Sequence, residues 1–384
     1  MVTSRLRPLP SGAELRLAPA YRILPFDQLS PVEQARVRAG GVLRGDIAVL
    51  VPAGGWRRLQ VVDQKTGRLL SNLDRLPASI TPDDPGLIRL VLDGVIETRV
   101  EGRWRSGPEA HPIFFDRRDA DPRAAGDSLA RLSLRALRYA ASLPETSALR
   151  LAGRLYRYNT RPASPAWRGR LRNPAAVSRL LRGLGGQSRG SSSRESSFGA
   201  WLSWSPPRPV RTSPTMYKLY VSPDISEIRT ACQAVVGRLG ARGGPFSVKA
   251  GKDLPSLLRP DKLVAYFTTL DDLRETARRL QAELDGMAAQ GVPFTASLGA
   301  GELLSWGADG GQQGPISGPL GADSWRWWVS QRLAGALATV LAAEAPVSPV
   351  GYALDRLSLD GVDGSTWQPP AWMLEGKETP GADH

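Results

Sequence analysis

The sequence predicts an α+β protein, with a C-terminal mixed sheet packed by helices behind a smaller α+β and helical N-terminal region. Three observations point there. After residue 215, short apolar runs of strand length alternate with longer stretches of helical periodicity. Residues 127–157 carry a strong helical repeat of their own. No glycine-rich phosphate loop of a parallel nucleotide-binding sheet accompanies the strands.

Composition sets the outer bounds. With 384 residues and 41% apolar content, the chain is long enough for two or three packed domains. It has no run of eighteen apolar residues and no apolar segment behind its early arginines, so neither a membrane span nor a secretory signal is expected. A single cysteine, Cys232, excludes an internal disulfide framework and a thiolate zinc site. The expected setting is cytoplasmic. The two histidines, His111 and His384, leave residues 216–345 without a histidine metal site or acid–base pair.

The elements follow in order. Residues 1–20 read as a loose tail. Residues 21–182 form an N-terminal α+β and helical region whose strands and hairpin resemble the small winged units with which many peptide-modifying enzymes hold a leader peptide, which implies peptide or partner binding. Within it, 47–51 and 58–62 are strands, 63–67 a turn, 86–92 a helix, and 95–104 a hairpin turning at Glu101-Gly102. Leu129, Leu132, Leu134, Leu137 and Ala140 recur at helical spacing until Pro144, after which a second helix carries Leu149, Leu151 and Leu155. Residues 183–214, rich in Gly, Ser and Pro, read as a flexible linker in which Trp201 and Trp204 are out of place.

Residues 215–345 form the C-terminal domain. Strand 216–221 leads to an N-cap at Asp224 with Glu227 as its capping-box partner, then a helix burying Ile228, Cys232, Val235 and Leu239. Strands 246–249 and 263–267 follow, then a helix capped by Thr269, possible strands at 292–296 and 303–306, and a long helix over 324–344. Residues 346–384 read as an extended segment.

Polar residues sit on these strands in a pattern. Lys218 and Tyr220 share one strand face, opposite Leu219 and Val221. Lys249 ends the next strand, Lys252 follows it, and Arg259-Pro-Asp261 stands immediately before the third strand, which carries Tyr266. Each has a plainer reading: an exposed strand face for Lys218 and Tyr220, core closure for Tyr220, a local ion pair for Arg259 and Asp261.

Together these residues resemble the phosphothreonine lyase effectors and, more closely, the HopA-type effector family, whose members also occur in bacterial biosynthesis of class V lanthipeptides and thioamitides. The resemblance spans about 130 residues and rests on Lys218-x-Tyr220, Lys249, the Arg-Pro-Asp-x-x-Val-x-Tyr pattern at 259–266 and Val-Pro-Phe-Thr at 292–295. It implies a phosphothreonine-lyase-like fold and β-elimination of phosphate from phosphoserine or phosphothreonine. By the same likeness Lys249 is the base, Lys218 a phosphate contact, and Tyr220 stands where the effectors carry an acidic histidine. Arg259, Lys252, Arg326 and Arg332 are further candidate phosphate contacts, with Asp261, Thr295 and Tyr266 in support. The two helix arginines are equally compatible with solvated positions.

That chemistry needs a lysine neutral near pH 7, cationic donors for a phosphate dianion and an acid for the leaving oxygen, but no metal or organic cofactor. The implied partners are a precursor peptide with leader and phosphorylated core, a separate Ser/Thr kinase-like protein and a cyclase. The chain carries no kinase motifs of its own. A noncatalytic phosphopeptide-binding scaffold is the alternative. Nucleic acid is a weaker partner despite the charge asymmetry, 35 Lys+Arg against 18 Asp+Glu in residues 1–215 and 15 against 19 thereafter. No zinc finger or recognition helix accompanies that basic half.

Overall fold

The computed structural model describes residues 6–39, 48–52, 60–62, 69–73, 81–116, 127–181, 194–198, 201–205, 216–242, 247–309, 316–317, 324–343 and 345–374. The expected turn at 63–67 lies outside them. Fourteen strands occur among the described residues: β1 (Glu14–Leu17), β2 (Tyr21–Pro25), β3 (Ala48–Pro52), β4 (Gln60–Val62), β5 (Ile96–Val100), β6 (Arg103–Arg105), β7 (Arg194–Phe198), β8 (Trp201–Ser205), β9 (Met216–Val221), β10 (Ser247–Gly251), β11 (Leu263–Phe267), β12 (Ala296–Ser297), β13 (Leu304–Asp309) and β14 (Ile316–Ser317). The helices are α1 (Pro31–Ala39), α2 (Pro85–Leu92), α3 (Gly107–Phe114), α4 (Ser128–Ala141), α5 (Ala148–Arg157), α6 (Pro165–Arg170), α7 (Pro174–Leu180), α8 (Ile228–Arg242), α9 (Leu254–Leu257), α10 (Leu270–Glu283), α11 (Trp325–Ala343), α12 (Pro349–Ser358) and α13 (Ala371–Leu374). The class is α+β, as expected.

A seven-stranded antiparallel sheet in the order β12-β13-β9-β11-β10-β8-β7 is the frame of the molecule. Side chains alternate across its faces. Leu219 and Val221 of β9, Val248 and Ala250 of β10, Ala265 of β11, Leu202 and Trp204 of β8, and Leu304 and Trp306 of β13 bury one face. The apolar stripes of α8 (Ile228, Cys232, Val235, Leu239) and α10 (Leu273, Ala277, Leu280) close over it. Burial in this apolar layer pushes the Cys232 thiol up to about 12. The other face carries Lys218, Tyr220, Lys249 and Tyr266.

A second core joins distant parts of the chain. Leu87, Ile88 and Val91 of α2, Leu134 and Leu137 of α4, and Leu151 and Leu155 of α5 pack with Val329, Leu333, Leu337 and Val340 of α11. Helix α11 lies along α5 and α12, so it packs with N-terminal helices rather than remaining with the strands that precede it. Among the described residues no helix is long and apolar enough to cross a membrane.

Several local expectations hold for their stated reasons. Helix α4 ends at Ala141, before Pro144, and α5 resumes at Ala148. The β5–β6 hairpin turns with Glu101 at φ 51° and Gly102 at φ 75°, the left-handed pair that a tight hairpin needs. Thr269 Oγ1 accepts the Asp272 N–H at the start of α10.

Others are corrected. The supposed tail contains β1, which pairs with β5; a four-residue Glu-Leu-Arg-Leu alternation is too short to stand out as a strand. The supposed linker contains β7 and β8. Pairing with β10 outweighs the weak strand propensity of its serines, and Trp204 is fully buried there. The C-terminal segment is not extended, since α12 packs into the second core, Tyr352 Oη donates to the Leu92 carbonyl at 2.6 Å, and Trp367 is buried. Asp224 caps through Ser226 N–H at 3.0 Å, but Glu227 accepts from Ala288 N–H instead of closing a capping box. Phe294, at φ 63°, turns the chain, so of the 292–296 run only Ala296 is strand, in β12.

Gly307 of β13 lies against Trp325, and a Cβ there would come within 2.8 Å of the indole Cγ. The indole is held by stacking on Trp328 and by its Nε1 donating to the Phe294 carbonyl at 2.8 Å. Gly307→Ala is therefore expected to cost about 1–3 kcal/mol of stability, as overpacked sites do. A lowered urea midpoint with an unchanged slope would show it.

Candidate active site

Antiparallel register sets the site. Lys249 of β10 lies opposite Val264 of β11, Val264 opposite Tyr220 of β9, and Tyr220 opposite Ser305 of β13. One row along, Tyr266 lies opposite Lys218, and Lys218 opposite Gly307. Directly opposed residues share a face, and neighbouring strands are about 4.8 Å apart. The four candidate groups thus form a compact patch over three strands.

Aromatic rings wall this patch. The Lys249 Nζ sits 4.5 Å from the centre of the Trp201 ring and 5.0 Å from that of Tyr266, whose ring also lies 5.4 Å from Lys218 Nζ. Burial, then the charge of Lys218, lowers the Lys249 pKa to about 8, against the opposing pull of Asp261 and Asp309. Lys218 is buried and paired with Asp309, which also accepts the Trp325 N–H at the start of α11. Tyr220 is 3% exposed, and burial followed by the negative charge of Asp309 pushes its phenol well up, with Arg326 pulling the other way. It therefore keeps its proton at neutral pH.

Beside the lysines stands a carboxylate clamp. Asp261, 5% exposed, receives Arg259 Nε at 2.9 Å and Arg259 Nη2 at 2.8 Å, and lies 2.8 Å from Arg326 Nη1. The Tyr156 hydroxyl, from α5, accepts from Arg259 Nη2 at 3.0 Å and donates to Asp261 Oδ2 at 3.2 Å. Both guanidinium groups also lie over the Tyr156 ring, at 5.3 and 4.8 Å. Burial alone would raise the Asp261 pKa, but Arg326 and then Arg259 override it and hold the carboxyl at about 2.

The chain is similar at a distance to several solved structures. An effector protein from Pseudomonas syringae pv. tomato strain DC3000 is 12% identical, with a TM-score of 0.40 over 63% of this chain and 98% of its own. A second, from Pseudomonas syringae pv. syringae strain 61, is 11% identical, with a TM-score of 0.38 over 62% and 97%. The phosphothreonine lyase OspF from Shigella flexneri is 14% identical, with a TM-score of 0.28 over 34% and 75%. No protein-family model and no curated protein matches the sequence. Likenesses this distant carry no chemistry to the site, which stands on its own side chains.

The structure brings Lys218, Tyr220, Lys249, Tyr266, Arg259, Asp261 and Arg326 together. Four assignments change. Arg332 is six residues beyond Arg326, about 120° around the helix. It pairs instead with Asp360 at 4.0 Å and lies over Trp328. Arg326 is 1% exposed. Its Nε and Nη2 donate to the Pro293 and Tyr156 carbonyls, so it holds Asp261 from behind and does not reach outward. Lys252 lies half-buried past the end of β10 and, among the described residues, makes no contact with the cluster. Thr295 is buried, its hydroxyl donating to the Val292 carbonyl as a local lock.

Tyr156, Asp309 and Trp201 went unnoticed as site residues in the sequence. Trp201 had left one signal, an aromatic in a stretch rich in Ser, Gly and Pro. Tyr156 and Asp309 left none, because each arrives from an element whose position the local sequence does not reveal. Among the described residues no group of three or more His, Cys, Asp or Glu could hold a metal ion.

Removing the clamp's only carboxylate strands buried Arg326. Asp261→Asn is expected to cost about 3–5 kcal/mol, the usual result of orphaning one member of a buried ion pair. Because the folded pKa lies below the ordinary carboxylate value, this contribution is complete above about pH 4 and is lost as pH falls through about 2. Denaturation between pH 2 and 7 should show the variant lacking that part of the acid limb.

Proposed function

We propose that this site β-eliminates phosphate from phosphoserine or phosphothreonine, leaving a dehydroamino acid. The observation that carries the reading is Lys249, a half-buried amine with its pKa lowered to about 8, on one sheet face with Tyr220 and Lys218 and beside Arg259. A neutral amine is what abstraction of a weakly acidic α-proton needs, and cationic neighbours both lower its pKa and attract the phosphate that delivers the substrate.

The steps balance. Neutral Lys249 takes the Cα proton, the electron pair forms the Cα–Cβ double bond, and the Cβ–O bond breaks toward phosphate. Tyr220 supplies a proton to the departing oxygen, giving hydrogen phosphate, and the ammonium of Lys249 returns a proton to the phenolate. The partly exposed Arg259, its Nε and Nη2 taken up by Asp261 and Tyr156, offers its remaining Nη1 to the phosphate. With Lys249 neutral, three cations (Lys218, Arg259, Arg326) face two carboxylates (Asp261, Asp309), which leaves the site net positive toward an incoming phosphate. Asp261, Tyr156 and Arg326 set the angle of Arg259, and Tyr266 keeps the two lysines apart.

The wider setting rests on the sequence resemblance alone. In it the substrate is a ribosomally made precursor peptide of the lanthipeptide type, phosphorylated by a separate kinase-like protein in the cytoplasm, with a cyclase acting afterwards.

A synthetic phosphopeptide followed by mass spectrometry tests the chemistry. The native chain should release one phosphate per phosphoresidue, with a rate that rises through about pH 8 as Lys249 loses its proton. Lys249→Ala should lose about 10²–10⁴ in rate while still binding the phosphopeptide. Tyr220→Phe should slow elimination far more than it weakens binding. Phosphopeptide binding by the native chain with no phosphate release at any pH would leave a noncatalytic scaffold instead.

A further inference from the structure

The stretch after Glu145 has an unusual charge pattern. From residue 146 to residue 194 the chain contains no aspartate or glutamate, yet eight arginines fall between 148 and 180. Helices α5, α6 and α7 hold most of them. The stripe is one-sided by construction. Leu151, Ala152 and Leu155 of α5 and Val177 of α7 face the cores, so Arg154, Arg157, Arg161, Arg168, Arg172 and Arg179 are left exposed. Arg150 finds Glu145 at 3.5 Å and Arg161 lies near enough to Asp224 to help lower its pKa, whereas Arg154 and Arg157 make no ion pair among the described residues.

This surface begins at the site. Arg157 adjoins Tyr156, whose ring lies 5.3 Å from the Arg259 guanidinium. Arg161 donates its backbone N–H to the carbonyl of Leu258, the residue before Arg259, at 3.0 Å. The backbone thus brings Arg157 and Arg161, both exposed, to elements that border Arg259. Like charges crowded on one face repel, and Glu145 and Asp224 offset them in part, at Arg150 and Arg161.

We propose that this arginine surface binds acidic residues in the same polypeptide that presents the phosphorylated side chain, a deepening that rests on the phosphopeptide reading of the site. An extended peptide advances about 3.3 Å per residue. Aspartates or glutamates two to five positions from the phosphoresidue would thus reach Arg157 and Arg161, and more distant ones the arginines of α6 and α7. The substrate class is an acidic phosphopeptide, its specificity set outside the reacting centre.

The test uses the full chain and two synthetic phosphopeptides that differ only in carrying four aspartates or four asparagines at those positions. The native protein should show a KM about tenfold lower for the acidic peptide, the sum of a few exposed ion pairs, and the difference should shrink in high salt. Arg157→Glu/Arg161→Glu should abolish that preference and leave kcat and KM for the asparagine peptide unchanged. Equal KM values for the two peptides with the native chain, or a double variant that impairs both alike, would overturn the proposal. If neither peptide is turned over, the lyase reading fails by itself, and fluorescence anisotropy of the same peptides still decides the surface: tighter binding of the acidic one upholds it, equal binding refutes it. A duplex oligonucleotide that displaces the acidic peptide at physiological salt from the native chain but not from the double variant would assign the surface to nucleic acid.

Discussion

The buried carboxylate of Asp261 is the interaction on which the site depends. It receives Arg259 from its own turn, Arg326 from α11 and the hydroxyl of Tyr156 from α5. A carboxylate so far from water is tolerated only because the two guanidinium groups and the phenol satisfy it together. The same contacts fasten the N-terminal helices, the long C-terminal helix and the sheet to one point. Stability and site geometry are thus not separable here: whatever loosens the clamp also releases the angle of Arg259.

Around this anchor the site divides by mobility of charge. Arg326 and Asp261 are fixed and enclosed, Lys218 is enclosed with Asp309, and Lys249 alone stands between rings of Trp201 and Tyr266 with part of its side chain open. Enclosure strengthens the fixed pairs, because low polarity magnifies them. It works on Lys249 in the opposite sense, since burial and Lys218 disfavour its charged form. One environment therefore fixes Arg259 and Asp261 as an ionised pair, and another leaves Lys249 poised to change.

Much of this was legible in the residues. Strands 216–221 and 263–267 followed from apolar alternation, and the shared face of Lys218 and Tyr220 from a period of two. The capped helices followed from Thr269 and from the leucine spacing of 129–140. What stayed hidden depended on long-range pairing. β8 is a strand because β10 offers it an edge, not because Trp-Leu-Ser-Trp-Ser prefers to extend, and so a stretch that looked like linker brings Trp201 to Lys249. Tyr156 lies 105 residues from Asp261, on a helix whose own pattern speaks only of its leucines. Arg326 and Arg332 looked alike in the sequence; helical phase sent one to the clamp and the other to Asp360.

Cys232 acquires a meaning beyond packing. A dehydroamino acid is an electrophile that thiolates add to readily, so an enzyme releasing one risks alkylating itself. The only thiol in this chain is enclosed between α8 and the sheet, on the face opposite Lys249, with its pKa near 12. Under the proposed elimination, that placement keeps the thiol away from the electrophilic product.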